Sequence, residues 1–217
     1  MAGKTRRDEQ VSATREALLN AAERLFAEHG VYAVANRQIS EAAGQGNNAA
    51  VTYHFGTKSD LVRAIVYKHA VQIDGLRARQ LAEIGHSNDV RDWVACAVRS
   101  VTGHLESLGS PSWYARFIGQ VTADPALQSI AYEAFYEASP TLRAVQDGLN
   151  SCLGDLPPGV HAERVAMTRH LITQMCVERE RALAEGTPTP RGSWQEAAGG
   201  LIDAIVAIWQ APVTPGP

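Results

Sequence analysis

The sequence predicts an all-α protein, with an N-terminal three-helix helix-turn-helix domain followed by a larger helical domain. Three observations carry this. Apolar residues recur at helical spacing along most of the 217 residues, as at Leu18, Ala22, Leu25 and Phe26. Only residues 51–55 alternate in the manner of a strand, no second segment matches them, and an isolated strand is not stable. The breaks between segments carry cap and stop chemistry, with Gly30, Gly44 and Gly56 closing helices and Asp124-Pro125 and Ser139-Pro140 opening them.

Taken in order, the first helix starts after Ser12 or Thr14, turns Arg15, Glu16, Glu23 and Arg24 outward, and stops at His29-Gly30. The second runs over 36–43 with Ile39 inward, and the third over 47–55 after a Gly-containing turn. Ala35, just before the second helix, cannot accept its first N–H bonds, a loss of roughly 1 kcal/mol unless Asn36 substitutes. Thr57-Lys-Ser-Asp60 opens a long fourth helix over 58–84, with Leu61, Ile65, His69, Ile73 and Leu76 along one side. Asn88 or Asp89 caps a helix reaching Leu108, and a turn at 109–112 follows. Further helices are expected at 113–122, 125–138, 140–153 and 161–184. Ser193 with Glu196 forms a capping box for a last helix ending near Gln210, and the tail 211–217 is expected to be disordered.

Composition sets bounds on function. A chain that is 45% hydrophobic and 20% charged can bury a sizeable core and is neither disordered nor low-complexity. No window approaches the roughly 18 apolar residues of a membrane helix, and the polar N-terminus has no signal-peptide core, which points to the cytoplasm. Cys96, Cys152 and Cys176 are odd in number and far apart, so reduced thiols are expected. His104, His161 and His170 share no metal-ligand spacing, and no metal or other cofactor is expected. No nucleophile elbow, P-loop, dinucleotide-binding or zinc-protease motif occurs, so nothing argues for an enzyme.

The net charge of −3 is a sum over two unlike parts. Residues 1–70 hold nine Lys and Arg against seven Asp and Glu, while residues 71–217 hold eleven against sixteen. A mildly basic head on an acidic body suits a polyanion at one end only.

The turn and third helix are loaded with groups that hydrogen-bond bases or phosphates: Gln45, Asn47, Asn48, Thr52, Tyr53 and His54. A recognition helix exposes such groups while Val51 and Phe55 hold it to the core. Lys58 and the first-turn N–H groups of the fourth helix suit a phosphate oxygen. Each has a plainer alternative: Tyr53 as a packing residue, His54 as a support for the turn, and Asn47 and Asn48 as turn formers. The basic residues Lys4, Arg6 and Arg7 read either as a solvated tail or as a DNA-binding arm.

At these residues the chain resembles the TetR family of bacterial transcriptional regulators. The resemblance lies in Ala21-Ala-Glu-Arg-Leu-Phe-Ala-Glu-His-Gly30, Ile39-Ser-Glu-Ala-Ala-Gly44 and Tyr53-His-Phe-Gly-Thr-Lys-Ser-Asp-Leu61, about a quarter of the chain. It implies a homodimer that binds a near-palindromic operator in double-stranded DNA, most often as a repressor, and is released by a small-molecule effector. Tyr53 and Lys58 are then phosphate contacts, Thr52 lies near the bases, and Arg37 adds a phosphate contact. The segment from Gly44 to Phe55 is one residue longer than the family spacing, so the turn at 45–48 or the first residue of the recognition helix must absorb it. A helical small-molecule-binding protein of this fold that has lost DNA binding is the alternative.

On this reading residues 1–57 bind DNA and residues 58–210 bind ligand and dimerise. Aromatic residues crowd the middle of the chain, and Trp93, His104, Trp113, Arg116, Phe117, Tyr132, Tyr136, Met167 and His170 are candidates for an effector pocket, with plain packing as the alternative for each. The last two helices offer Val165, Leu171, Ile172, Met175, Leu201, Ile205, Ile208 and Trp209 as candidates for a dimer interface.

Overall fold

The computed structural model describes residues 2–47 and 49–214, with side chains from Asp8 onward. Among the described residues there are ten helices and no strand: α1 (Ala2–His29), α2 (Asn36–Ala42), α3 (Ala50–Phe55), α4 (Lys58–Ile84), α5 (Val90–Leu108), α6 (Tyr114–Ala123), α7 (Pro125–Glu137), α8 (Thr141–Cys152), α9 (Pro158–Glu185) and α10 (Trp194–Gln210).

Most boundaries follow from local chemistry. The Asp89 carboxylate accepts from the Arg91 N–H at 2.8 Å, and Asp124 accepts from the N–H groups of Ala126 and Leu127 at 3.0 Å each. The Ser193 hydroxyl accepts from Glu196 N–H at 3.1 Å, while the Glu196 carboxylate reaches back to Gly192 N–H at 2.8 Å. Gly30 ends α1 at φ +84°, a conformation that favours glycine.

Four boundaries differ from expectation. α1 begins at Ala2: residues 4–11 contain neither Gly nor Pro, and the helix continues through Ser12 and Thr14, with Gly3 alone unfavourable near its end. The side chains of Lys4, Arg6 and Arg7 lie outside the described residues. α3 begins at Ala50 and is only six residues long, since the lengthened turn consumes its expected first residues. Ser139 does not cap α8. That helix starts at Thr141, whose N–H and hydroxyl both donate to Asp74 of α4, at 3.2 and 2.6 Å. α9 starts at Pro158, where proline is tolerated in the first helical turn. Ala211 to Thr214 follow α10 without regular structure, and 215–217 lie outside the described residues.

The chain forms two compact units whose division does not fall at residue 57. One comprises residues up to His69 together with Trp113–Phe135, so α6 and α7 belong with the N-terminal helices; the other comprises Ala70–Ser112 and the chain from Tyr136 onward. The first is cored by Leu18, Leu19, Phe26, Ile39, Val51, Leu61, Ile65 and Phe117. The second is cored by Val90, Trp93, Val94 and Val98 of α5, Leu149 of α8, and Ala198, Leu201, Ile202, Ile205 and Trp209 of α10.

That second core corrects three expected interface residues. Leu201, Ile205 and Trp209 face α5 of their own chain and are 6%, 0% and 3% exposed, which leaves no side-chain surface for a second copy. The indole N–H of Trp209 donates to Thr168 at 3.0 Å, and Arg164 donates to the carbonyls of Trp209 and Ala211 at 2.6 and 2.5 Å, closing the end of α10 against α9. Val165, Leu171, Ile172 and Ile208 are half-buried, and Met175 is exposed. No helix among the described residues is long and apolar enough to cross a membrane.

Candidate nucleic-acid interface

The helix-turn-helix is built on α1. Leu18, Leu19, Ala22 and Phe26 are buried, and against them sit Ile39 of α2 and Ala50 and Val51 of α3. With Ala50 and Val51 turned inward, helical geometry puts the next residues outside: Thr52 is exposed and Tyr53 is 78% exposed. His54 is half-buried, and its ring meets that of Tyr53 edge-on with centroids 5.0 Å apart. Phe55 is half-buried too, with the Arg15 guanidinium 4.8 Å from its ring centroid.

α2 closes in a Schellman motif. The Gln45 N–H donates to the Ser40 carbonyl at 2.8 Å and the Gly44 N–H to Glu41 at 3.0 Å, with Gly44 at φ +68°. The Gln45 side chain folds back onto the Ala43 carbonyl at 3.3 Å, so its amide is half-buried. Asn47 then makes the entry to α3: its side-chain oxygen accepts from Ala49 N–H at 2.9 Å and its carbonyl from Ala50 N–H at 3.0 Å. The extra residue is absorbed between the Schellman motif and this Asx turn, ahead of α3. Asn48 lies outside the described residues. At the start of α2, Ala35 offers no side-chain acceptor, but its own N–H donates to Gln38 at 2.7 Å, half of a capping box. Arg37 is exposed on α2 and paired with Glu41 at 2.7 Å, which raises the guanidinium pKa by hydrogen bond and charge.

Thr57 and Asp60 form the complete reciprocal cap of α4. The Asp60 carboxylate accepts from the Thr57 N–H at 3.0 Å and its hydroxyl at 2.6 Å, and Asp60 N–H donates back at 3.1 Å. Lys58, expected at a phosphate, has its ammonium on the carbonyls of Val31 and Val34 at 3.1 and 2.7 Å. Partial burial lowers its pKa from the ordinary lysine value.

Sequence reasoning missed what fastens this head to the first half of α4. Glu23, expected on the outer face of α1, is 7% exposed and bonded at 2.8 Å to His69, itself 3% exposed. The Tyr114 ring of α6 stacks on His69 with centroids 3.8 Å apart. Burial, with the Glu23 charge adding to it, raises the Tyr114 phenol well above its ordinary range. Lys68 pairs with Glu16 and with Asn20. A charged residue at an inward position of α1, facing a histidine at an inward position of α4, is the signal that was available.

The expected effector-pocket residues are divided between the two units, Trp113, Arg116, Phe117 and Tyr132 in the first and Trp93, His104, Tyr136, Met167 and His170 in the second. Trp93 is a core residue of the second unit, its indole N–H donating to the Ser87 carbonyl at 3.0 Å. Phe117 is fully buried and stacks on Phe26 in the first unit, with centroids 6.3 Å apart. Tyr136, Met167 and His170 are exposed. His104 is buried on α5, and Trp113, Arg116 and Tyr132 are half-buried. Among the described residues no three His, Cys, Asp or Glu side chains are grouped to hold a metal ion.

Residues 18–65 match the profile of a family described as bacterial regulatory proteins, tetR family. Among solved structures, a TetR family transcription regulator from Marinobacter aquaeolei has a TM-score of 0.62 at 17% identity, covering 93% of this chain and 97% of its own. The TetR family transcriptional regulator PfmR from Thermus thermophilus has a TM-score of 0.56 at 16% identity, covering 87% and 96%. At such identities the likeness is one of fold. No curated protein matches the sequence. Residues 18–65 are thus similar to the helix-turn-helix domain of the tetR family, and the chain as a whole shares the fold of solved TetR family regulators.

Proposed function

We propose that the chain represses transcription as a homodimer on a near-palindromic operator and is released by a small-molecule effector. The observation that carries the reading is α3, a helix anchored by Ala50 and Val51 that presents Thr52 and the 78%-exposed Tyr53 to solvent. A phenol exposed on a recognition helix is placed to hydrogen-bond a phosphate. Thr52 approaches base edges, and Asn47, His54 and Arg37 flank the contact. The half-buried Gln45 amide already serves the turn and contributes less.

Two copies of α3 across a two-fold axis read half-sites about 34–36 Å apart or somewhat more. The remaining interface candidates are the half-buried Val165, Ile172 and Ile208 with exposed Met175. An effector acts by binding the DNA-competent and DNA-incompetent conformations with different affinity, typically by ~1–3 kcal/mol. His104, Trp113, Arg116 and Tyr132 are the candidates left for recognising it.

A mobility-shift titration against DNA from upstream of the chain's own gene, across salt concentrations, tests the reading. Selective binding that weakens steeply with salt is expected, with Tyr53→Ala weakening it about tenfold or more and leaving the melting temperature unchanged. Absence of binding to any DNA fragment would favour a ligand-binding protein that has lost its operator.

A further inference from the structure

We propose that the start of α1 is a helical arm that lies along the phosphate backbone beside the half-site, with Lys4, Arg7 and Arg15 as its contacting face. This rests on the operator binding proposed above. Leu18, Ala22 and Phe26, each 0% exposed, form the stripe by which α1 covers the helix-turn-helix. Counting back along the helix in steps of three and four, the same stripe runs through Arg15, Val11, Arg7 and Lys4. It turns from apolar to basic where the core ends, since Asp8 to Ala13 are all exposed, Val11 at 43%. The charges are sorted by face. Glu9 and Glu16 stand on the opposite side of the helix, Glu16 paired with Lys68 of α4. Arg6 lies off the stripe and Asp8 at its edge. A helix with one basic and one acidic side fits a polyanion on the first only.

Arg15 fixes where that stripe leads. Its guanidinium lies 4.8 Å from the ring centroid of Phe55, the last residue of α3, so the arm is rooted at the end of the recognition helix. From Arg15 back to Lys4 the helix rises about 16 Å, more than the roughly 12 Å width of a major groove. With α3 in that groove, the arm reaches the strand on its rim. Lysine and arginine there hold phosphates and fix register without reading bases.

The double variant Lys4→Gln, Arg7→Gln tests this, since it removes both charges and keeps good helix formers. In mobility-shift titrations of the full chain on duplex from upstream of its own gene, the plot of log Kd against log salt should flatten by about 1.8, roughly 0.9 for each lost contact. Arg6→Gln, off the stripe, should leave the slope as it is. Amide exchange in a peptide spanning 2–13 should slow about tenfold when the unmutated protein is saturated with the duplex. A double variant with the unmutated slope would overturn the arm while operator binding stands, and so would unchanged exchange over 2–13. Equal flattening by Arg6→Gln would also overturn it, as the mark of a basic tail with no defined face. If the unmutated chain binds no duplex, the operator reading falls and the arm with it.

Discussion

The ring of Trp93 closes on the backbone of Gly148, so tightly that a Cβ at that position would sit 2.4 Å from two ring carbons. α8 approaches α5 only because residue 148 has no side chain there. Trp93 is 6% exposed and held by its N–H to the Ser87 carbonyl, so the ring has little room to retreat. Gly148→Ala should destabilise the protein despite a gain of about 1 kcal/mol in helix propensity. Overpacking of this kind costs ~1–3 kcal/mol or more, and a chain of this size loses about 2–4 °C per kcal/mol. A melting temperature equal to or above that of the unmutated protein would show that the ring relocates freely.

The buried pair of Glu23 and His69 yields a second expectation. Removing one partner strands the other, so His69→Ala should lower stability by about 3–5 kcal/mol in chemical denaturation. Replacing both residues by leucine removes the stranded carboxylate and should recover most of that loss. If the double variant is no more stable than the single one, the packing of the imidazole on Tyr114 outweighs its hydrogen bond with Glu23.

Asp60 makes stability at the start of α4 depend on acid. The hydrogen bonds from the Thr57 hydroxyl and then its N–H hold the Asp60 carboxyl below its ordinary value. A depressed folded-state pKa stabilises above the unfolded value of about 3.9, and the stabilisation is lost as pH falls through the folded value. Asp60→Ala should therefore melt below the unmutated protein at neutral pH, and the gap should close in acid, as followed by circular dichroism. A gap independent of pH would mean that the carboxylate is not what caps the helix.

The cysteines should differ in reactivity. Burial pushes the Cys96 thiol up to about 11, with Arg77 opposing, and the Cys176 thiol up to about 12, with Glu180 adding and Arg179 opposing. Neither forms thiolate near neutral pH, whereas Cys152 is half-buried and within reach of solvent. Iodoacetamide on the native protein should label Cys152 first, and Cys96 and Cys176 only after unfolding, as read by mass spectrometry. Early labelling of Cys176 would show that α9 opens locally.

Helix order and most boundaries were legible in the sequence, because caps, glycine stops and prolines act within a few residues of themselves. Asp89, Asp124 and Ser193 open the helices they were expected to open. The exceptions arose where a partner distant in sequence took over. Ser139 gave way at α8 to Asp74, which reaches Thr141 across 67 residues. The outward placement of Thr52 and Tyr53 on α3 was legible in the sequence, as was the added residue before them, but not where that residue would go. Whether the added residue joins the turn or the helix depends on how Gln45 and Asn47 share the local hydrogen bonds.

By itself, then, the amino-acid sequence determined an all-α chain with a helix-turn-helix near its start, since periodicity, capping and breakers are short-range properties. Only the tertiary structure decided which neighbour each face meets. Leu201, Ile205 and Trp209 form an apolar stripe that would suit a second copy equally well, and α5 of the same chain covers it. Glu23 and Lys58 read as solvent-facing charges, yet one meets His69 and the other two loop carbonyls. A polar group leaves water only where a partner awaits it, and that partner is placed by the fold rather than by the residues beside it in the chain.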